Sequence, residues 1–568
     1  MRKTKVVLAK VLSAAMVISS FAGVQGITSE AAAKPKLSKK SVSITVGKTK
    51  KITVKNAKKY KVSWKMKSKK TASFKKSGKY AVKVKAKKAG KTTLTATIKK
   101  GKKTKKLVCK ITVKKNSPKV TKTPVNTPTT SPSNVPKTTA VPTATATAKP
   151  QDTTPAMKEI FKGVIDNVGT CLTYNQTWNN RKEMQDASTM EFVDKNFNSF
   201  TLENEMKPDN MLNKKTTISV ADAKAKGYVI SDDYKESTVP ELTLETIDGV
   251  LAIAKQHNIR MRAHTLMWHQ QTPTWFFKKN YDDEEAVVDE ATMNARLEFF
   301  VRTVMRYTMQ KEKELTGEVG SIVYAWDVLN EYIHRSNAAE AATWVSVYGD
   351  MGLKPTYVKA AFEYAYDELK RENVQDKVTL FYNDYDTYFS VDDELALISY
   401  INEGEKAKIC GGIGMQSHVD IKRPTLEEYG NALKAFINAG LEVQITELDI
   451  TINFDTDDTD GRTPSYGYKN EKETDADQAA FTKDFIKQIV DIQKNLQKNR
   501  DKNKSLKGIT GITVWGISDQ TSWRGSCRPL FFTRKNVGRV KDETTGKYKP
   551  VYTYVPKKSY EAMIEALK

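Results

Sequence analysis

Hydrophobic and polar residues are patterned in two different ways along this chain, and the change falls near residue 156. Between residues 34 and 115 the apolar positions recur every second residue in short runs. These are Ser41-Val-Ser-Ile-Thr-Val, Lys51-Ile-Thr-Val, Lys61-Val-Ser-Trp, Tyr80-Ala-Val-Lys-Val, Thr92-Thr-Leu-Thr-Ala-Thr-Ile and Leu107-Val-Cys-Lys-Ile-Thr-Val. A period of two puts the apolar side chains on one face, the mark of a half-buried strand. Gly47, Gly78, Gly90 and Gly101 serve as turns, so the block reads as a small β-sandwich. Trp64 reads as part of its core rather than as a platform for sugar.

From about Ala156 to the end at residue 568, strand-like runs alternate with segments of helical periodicity. Eight candidate strands lie near Gly169–Tyr174, Asn198–Glu205, Arg260–His269, Val323–Glu331, Val378–Asp386, Gly412–Asp420, Glu442–Ile450 and Gly511–Asp519. Helical stretches beginning at Thr356 and Phe481 exemplify what lies between them. Eight β/α units predict an α/β fold, a (β/α)8 TIM barrel with long loops, whose active site belongs at the C-terminal ends of the strands.

Two further regions fit neither pattern. Residues 116–155 are rich in Pro, Thr and Ser, cannot bury a core, and read as an extended linker. At the N-terminus, Arg2, Lys3 and Lys5 precede an apolar stretch from Val11 to Val24, with Ala31, Ala32 and Ala33 following. This is the pattern of a signal peptide over residues 1–33, and it predicts a secreted, extracellular or surface-associated protein. A retained membrane anchor is the competing reading.

Composition changes this picture in one respect. The formal charge is +28, but residues 34–115 alone hold 32 lysines and no acidic residue. Residues 156–568 carry 54 basic against 64 acidic side chains, a net charge of −10. Basicity is thus a property of the sandwich. A nucleic-acid reading fails because the lysines are not accompanied by aromatic or groove-reading motifs. Such charge instead predicts salt-sensitive attraction to anionic cell-wall polymers, with a solubilising spacer as the plainer alternative. Cys109, Cys171, Cys410 and Cys527 have no metal-ligand spacing and read mainly as buried thiols, with one bridge among the last three as the alternative.

The chemistry-bearing residues gather at strand ends. Trp326-Asp-Val-Leu-Asn330-Glu331 and Gln444-Ile-Thr-Glu447-Leu-Asp449 each place a glutamate in an apolar strand, where an unpaired carboxylate is costly. Retaining glycosidases need one carboxylic acid and one carboxylate on opposite sides of the scissile bond. Strands four and seven of a barrel face each other across its mouth. Three of the five histidines, His264, His269 and His418, lie in terminal segments of these runs, and Trp268, Trp515 and Trp523 suit a sugar-lined cleft. No closed metal set is present, so no catalytic metal and no cofactor is expected. The acidic run from Asp455 to Gly461 lacks the distal glutamate of a calcium loop and reads as solvated.

Seven ordered segments then carry a resemblance: Glu203-Asn204-Glu-Met-Lys207, His264-Thr-Leu-Met-Trp268-His269, Trp326 to Glu331, Phe381-Tyr382-Asn383-Asp-Tyr, Gln416-Ser-His418, Ile445-Thr-Glu447-Leu-Asp449, and Trp515-Gly-Ile-Ser-Asp519-Gln-Thr-Ser-Trp523-Arg524. In this order they resemble the motifs of glycoside hydrolase family 10 xylanases. The resemblance implies retaining endo-hydrolysis of β-1,4-xylosidic bonds in xylan and xylo-oligosaccharides by a monomer. It makes Glu331 the acid/base and Glu447 the nucleophile, with Asn330 on the 2-hydroxyl. His418, backed by Asp449, would hold Glu447 ionised, and Gln416 would sit at Glu331. Glu203, Asn204, Lys207 and His264 would bind sugar, enclosed by Trp268, Trp515 and Trp523, with Tyr382 among the supporting residues. Ala263 and Pro208 depart from the family pattern, where glycine and tryptophan are usual. Residues 34–115 resemble bacterial Ig-like group 2 domains. The rival readings are a related retaining β-glycanase acting on β-glucan or mannan, and a non-catalytic surface or carbohydrate-binding protein.

Overall fold

The computed structural model describes residues 35–114 and 154–568, except 40, 47, 58–59, 101–102, 177–180, 336–338, 454–472, 500, 502–503, 542–545 and 547. The proposed leader, most of the linker and the acidic run at 455–461 therefore lie outside the described residues. Contacts divide the chain into two compact units at residue 146/147.

The first unit is all β. One sheet has the order Lys36–Leu37, Thr49–Lys55, Ala81–Ala86, Ala72–Gly78, and the other Ser41–Thr45, Lys103–Lys114, Gly90–Lys100, Lys61–Met66. Ile52, Val82 and Val84 of the first sheet share one apolar cluster with Val42, Ile44, Leu94 and Ile111 of the second, so the sheets pack face to face. Trp64 packs against the clusters of this interior, as its place in the pattern requires. The six expected runs are strands; Ala72–Gly78 was not foreseen, because Lys75, Lys76 and Gly78 break its apolar alternation.

The second unit is a closed parallel barrel. Its strands, numbered within it, are β1 Asn167–Leu172, β2 Ser199–Leu202, β3 Arg260–Trp268, β4 Val323–Asn330, β5 Thr379–Asp384, β6 Gly412–Met415, β7 Glu442–Thr451 and β8 Gly508–Val514. Each pairs in parallel with the next, and β8 returns to β1 through Gly511↔Asn167. The main helices following each strand are α1 Ala187–Asn196, α2 Glu245–Gln256, α3 Glu290–Thr316, α4 Thr356–Glu372, α5 Val391–Ile401, α6 Leu426–Asn438, α7 Asp475–Lys498 and α8 Lys558–Ala566. Polar caps set the starts of several: Asp289 accepts from Thr292 N at α3, and Thr425 and Thr474 form capping boxes at α6 and α7.

Every residue of β4 and β7 is buried, because helices cover one face and the packed barrel interior the other. The polar residues in those strands must therefore satisfy one another. A hairpin, Phe532–Lys541 with Tyr548–Pro556, interrupts the β8–α8 connection and was not expected from the pattern, since most of its first strand is exposed. All four cysteines are free and buried. Among the described residues no helix is long and apolar enough to cross a membrane.

Candidate active site

Irregular strand ends aim the functional side chains. Pairing slips between His264 and Met267, between Asp327 and Leu329, and between Ile445 and Leu448. Such bulges turn side chains out of simple alternation at the rim of a barrel. Glu331 itself has φ 55°, a left-handed conformation uncommon outside glycine, as has Ser417 at φ 61°. The Glu331 backbone N–H is tied to Asn383 O at 2.9 Å, and the Glu447 N–H to Gln416 O at 2.9 Å. Both glutamates are thus pinned to the strands beside them.

A chain of amides connects the two carboxylates. Gln416 Nε2 donates to Glu331 Oε1 at 2.9 Å and to Asn330 Oδ1 at 3.2 Å. Asn383 Nδ2 donates to the same Asn330 oxygen at 2.9 Å and to Glu447 Oε1 at 2.9 Å. Asn383 Oδ1 in turn accepts from Thr446 Oγ1 at 2.6 Å. Two donors on Asn330 Oδ1 fix that amide, so its Nδ2 is turned away from the chain as a donor. Gly414, the register partner of Asn383, leaves room for this arrangement: a Cβ there would stand 2.3 Å from Asn383 Oδ1 and 2.8 Å from Arg262 Nη2.

The surroundings push the two acids in opposite directions. Burial, the Asp384 carboxylate and the charge of Glu447 raise Glu331 to about 7, against the opposing hydrogen bond from Gln416. Its Oε2 also accepts from the Trp268 indole N–H at 2.9 Å. Burial alone would raise Glu447 too. The hydrogen bond from His418 and the positive charges of His264, His418 and Lys207 outweigh it and hold Glu447 at about 2.

His418 owes its place to the strand Leu448 belongs to. The short strand His418–Asp420 runs parallel to the end of β7, and His418 is the register partner of Asp449. Its Nδ1 lies 2.9 Å from Asp449 Oδ2, and its Nε2 lies 3.2 Å from Glu447 Oε2. Burial works against an imidazolium, but the Asp449 charge and the two hydrogen bonds raise His418 to about 9. Asp449 is held below its usual range, against burial, by His418 and Arg524, and it accepts from Trp523 Nε1 at 2.9 Å.

The remaining expected residues fall around this centre. Glu203 Oε2 accepts from Gln176 Nε2 at 2.8 Å and pairs with Arg181 Nη1 at 2.7 Å; neither partner was foreseen, since both lie in the loop after β1. Lys207 Nζ lies 3.5 Å from Asn204 Oδ1 and 4.9 Å from the centre of the Trp268 ring. His264 Nδ1 is 2.9 Å from Asp327 Oδ2, which also pairs with Arg262. Trp515 meets the rings of His264 and His418 edge-on at 5.9 and 6.3 Å, while Trp523 is 39% exposed at the rim.

Two of the named residues do not reach the carboxylates. His269 is a neutral core residue: burial and the Arg335 charge depress it to about 3, and its Nε2 meets Tyr357 Oη at 3.0 Å among aromatic rings. Tyr382 is fully buried behind the cleft wall, where its hydroxyl bonds Asp384 and accepts from Ile333 N at 2.9 Å. Neighbouring strand residues point to opposite faces, so Asn383 reaches the carboxylates and Tyr382 does not. The signal for Asn383 was present in the motif around it. Pro208 opens the short helix Pro208–Met211, and Ala263 is wholly buried.

Known proteins are similar to this chain over the barrel region. Residues 156–553 match glycosyl hydrolase family 10. Endo-1,4-beta-xylanase A of Butyrivibrio fibrisolvens is 39% identical over 360 residues, covering 63% of this chain and 77% of that protein. Endo-1,4-beta-xylanase B of the same organism is 31% identical over 377 residues, and there the chain spans 50% of the relative's length. Among solved structures, the CBM22-1–GH10 modules of the Clostridium thermocellum endo-1,4-beta-D-xylanase 10B, complexed with xylohexaose, match at TM-score 0.50 and 26% identity. That match covers 73% of this chain and 68% of the other.

Proposed function

The chain belongs to glycosyl hydrolase family 10, and from that premise we infer that it is an endo-β-1,4-xylanase hydrolysing xylan with retention of anomeric configuration. The observation that carries the reading is the division of labour between two barrel carboxylates, Glu331 at about 7 and Glu447 at about 2. Acids pushed apart in this way are assigned as proton donor and anion by their environments.

In the first step Glu331 protonates the glycosidic oxygen while Glu447 attacks the anomeric carbon. The C–O bond breaks, the leaving chain departs as an alcohol, and a glycosyl ester forms on Glu447. Esterification removes the Glu447 charge, one of the groups holding the Glu331 proton. Glu331, now a carboxylate, takes a proton from water as the water attacks the anomeric carbon; the bond from that carbon to the Glu447 oxygen breaks, and both residues return to their starting states. His418 and Asn383 occupy the two Glu447 oxygens, which keeps the nucleophile ionised and oriented. The Asn330 Nδ2 is the donor available to the sugar 2-hydroxyl. Glu203, Asn204, Lys207 and His264 bind the sugars beside the cleavage point, and Trp515 and Trp523 border them. Faster hydrolysis of carboxymethylcellulose or mannan than of xylan would overturn the substrate assignment.

The leader pattern of residues 1–33 assigns the enzyme to the cell exterior; a culture in which the protein stays in the cytoplasm refutes this. For the sandwich the proposed partner is an anionic cell-wall polymer. Lys83 is the register partner of both Lys51 and Lys75, so three exposed lysines form a row across adjacent strands. At a strand spacing of about 4.8 Å these like charges repel, and a polyanion along the row relieves the repulsion.

A further inference from the structure

Behind the acid/base, three side chains able to bind metal meet, and glycoside hydrolysis uses none of them directly. His334 stands three residues beyond Glu331 on the turn leaving β4, Asp384 ends β5, and Glu394 lies in the first turn of α5. One ligand atom from each lies within 4.8 Å of the others, the one such group among the described residues. Asp384 and Glu394 are fully buried, and the His334 side chain is 22% exposed.

Two features of this group are unexplained by hydrogen bonding within the protein. His334 Nδ1 is 3.1 Å from Asp384 Oδ1, yet it is not aligned as a hydrogen bond to any acceptor. Glu394 Oε2 is also buried without a partner. The His334 and Asp384 atoms form an ion pair, and a nitrogen and an oxygen at this separation are also spaced like two corners of one coordination sphere. With metal–ligand bonds of about 2.0–2.1 Å, tetrahedral neighbours stand about 3.3 Å apart. Donors already orient the carboxylates from behind: Tyr385 N–H reaches Asp384 Oδ1 at 2.8 Å, Tyr382 Oη bonds Asp384 Oδ2, and Ser390 Oγ donates to Glu394 Oε1 at 3.2 Å. This is the outer layer that ligating carboxylates require. The charged neighbours of Glu394 are Asp384 and Asp393, both acidic, and the cation paired with Asp384 is His334 itself.

We propose that His334 Nδ1, Asp384 and the unpaired oxygen of Glu394 form a binding site for one divalent cation of the zinc class. Nitrogen with two carboxylates suits Zn²⁺, and the partly exposed side of His334 admits water as the fourth ligand. A small swing of the Glu394 carboxylate closes the sphere. The ion ties the turn carrying Glu331 to β5 and α5, and by offsetting the Asp384 charge it also shifts the alkaline limb of the pH–rate profile downward.

The test is binding, measured apart from activity. Full-length protein is stripped with chelator, then titrated with ZnCl2 by calorimetry and with CoCl2 by visible absorption. One zinc per chain is expected, with a cobalt d–d spectrum of a four-coordinate nitrogen–oxygen site and a zinc-dependent rise in Tm. Glu394→Gln and His334→Gln should each weaken zinc at least about tenfold and lose the Tm rise, while keeping the metal-free Tm of the parent. His334→Gln, at the more exposed position, carries the test if Glu394→Gln does not fold. Absence of zinc binding by the parent overturns the site, and so does His334→Gln binding zinc as tightly as the parent.

Discussion

Glu331 and Glu447 differ in what surrounds them far more than in what they are. One sits by Asp384 and Glu447 itself; the other accepts from His418 and Asn383. Catalysis needs Glu447 ionised and Glu331 protonated. Activity (kcat/KM) should therefore rise as pH passes about 2 and fall as it passes about 7. Glu331→Gln should remove the alkaline limb and lower kcat on xylan by about 10²–10⁴-fold. His418→Ala removes the donor to Glu447 and should move the acidic limb upward, read from the same pH–rate profile. At this scale the sequence was informative wherever a motif named a residue, as with Gln416 and Asp449. It was silent where orientation decides, as with Asn383, or where a partner comes from a distant loop, as Arg181 does for Glu203.

Strands set which of these side chains meet. All eight barrel strands were legible because their apolar runs are long and bounded by helical periodicity. The bulges that aim His264, Glu331 and Glu447 were not legible, since a register slip leaves no compositional trace. Nor was the exposed hairpin after β8. Two substitutions probe the strand layer. Gly414→Ala drives a methyl into Asn383 and should cost about 1–3 kcal/mol of stability, seen in urea unfolding, together with a loss of kcat. Arg262→Met removes one of the two cationic partners of the buried Asp327, leaving His264, and should cost about 1.5–3 kcal/mol.

For the molecule as a whole, charge separates two kinds of work. The sandwich holds 32 lysines with no acid, while the barrel region is net −10, so the sequence pI of about 9.5 describes neither. Replacing Lys51, Lys75 and Lys83 by Gln in the full chain should weaken retention on purified cell walls at low salt and leave hydrolysis of xylo-oligosaccharides unchanged. Equal retention at low and high salt would contradict the electrostatic reading. The two-unit organisation was visible from the shift in periodicity near residue 156, whereas sheet order in the sandwich depends on long-range pairing that periodicity does not encode. The central reaction of the molecule is a double displacement carried by Glu331 and Glu447 of the barrel. It is tested most directly by proton NMR of the reducing end formed in the first turnovers on xylohexaose: the β-anomer appearing first, then mutarotating, is the predicted result, and the α-anomer appearing first would contradict it.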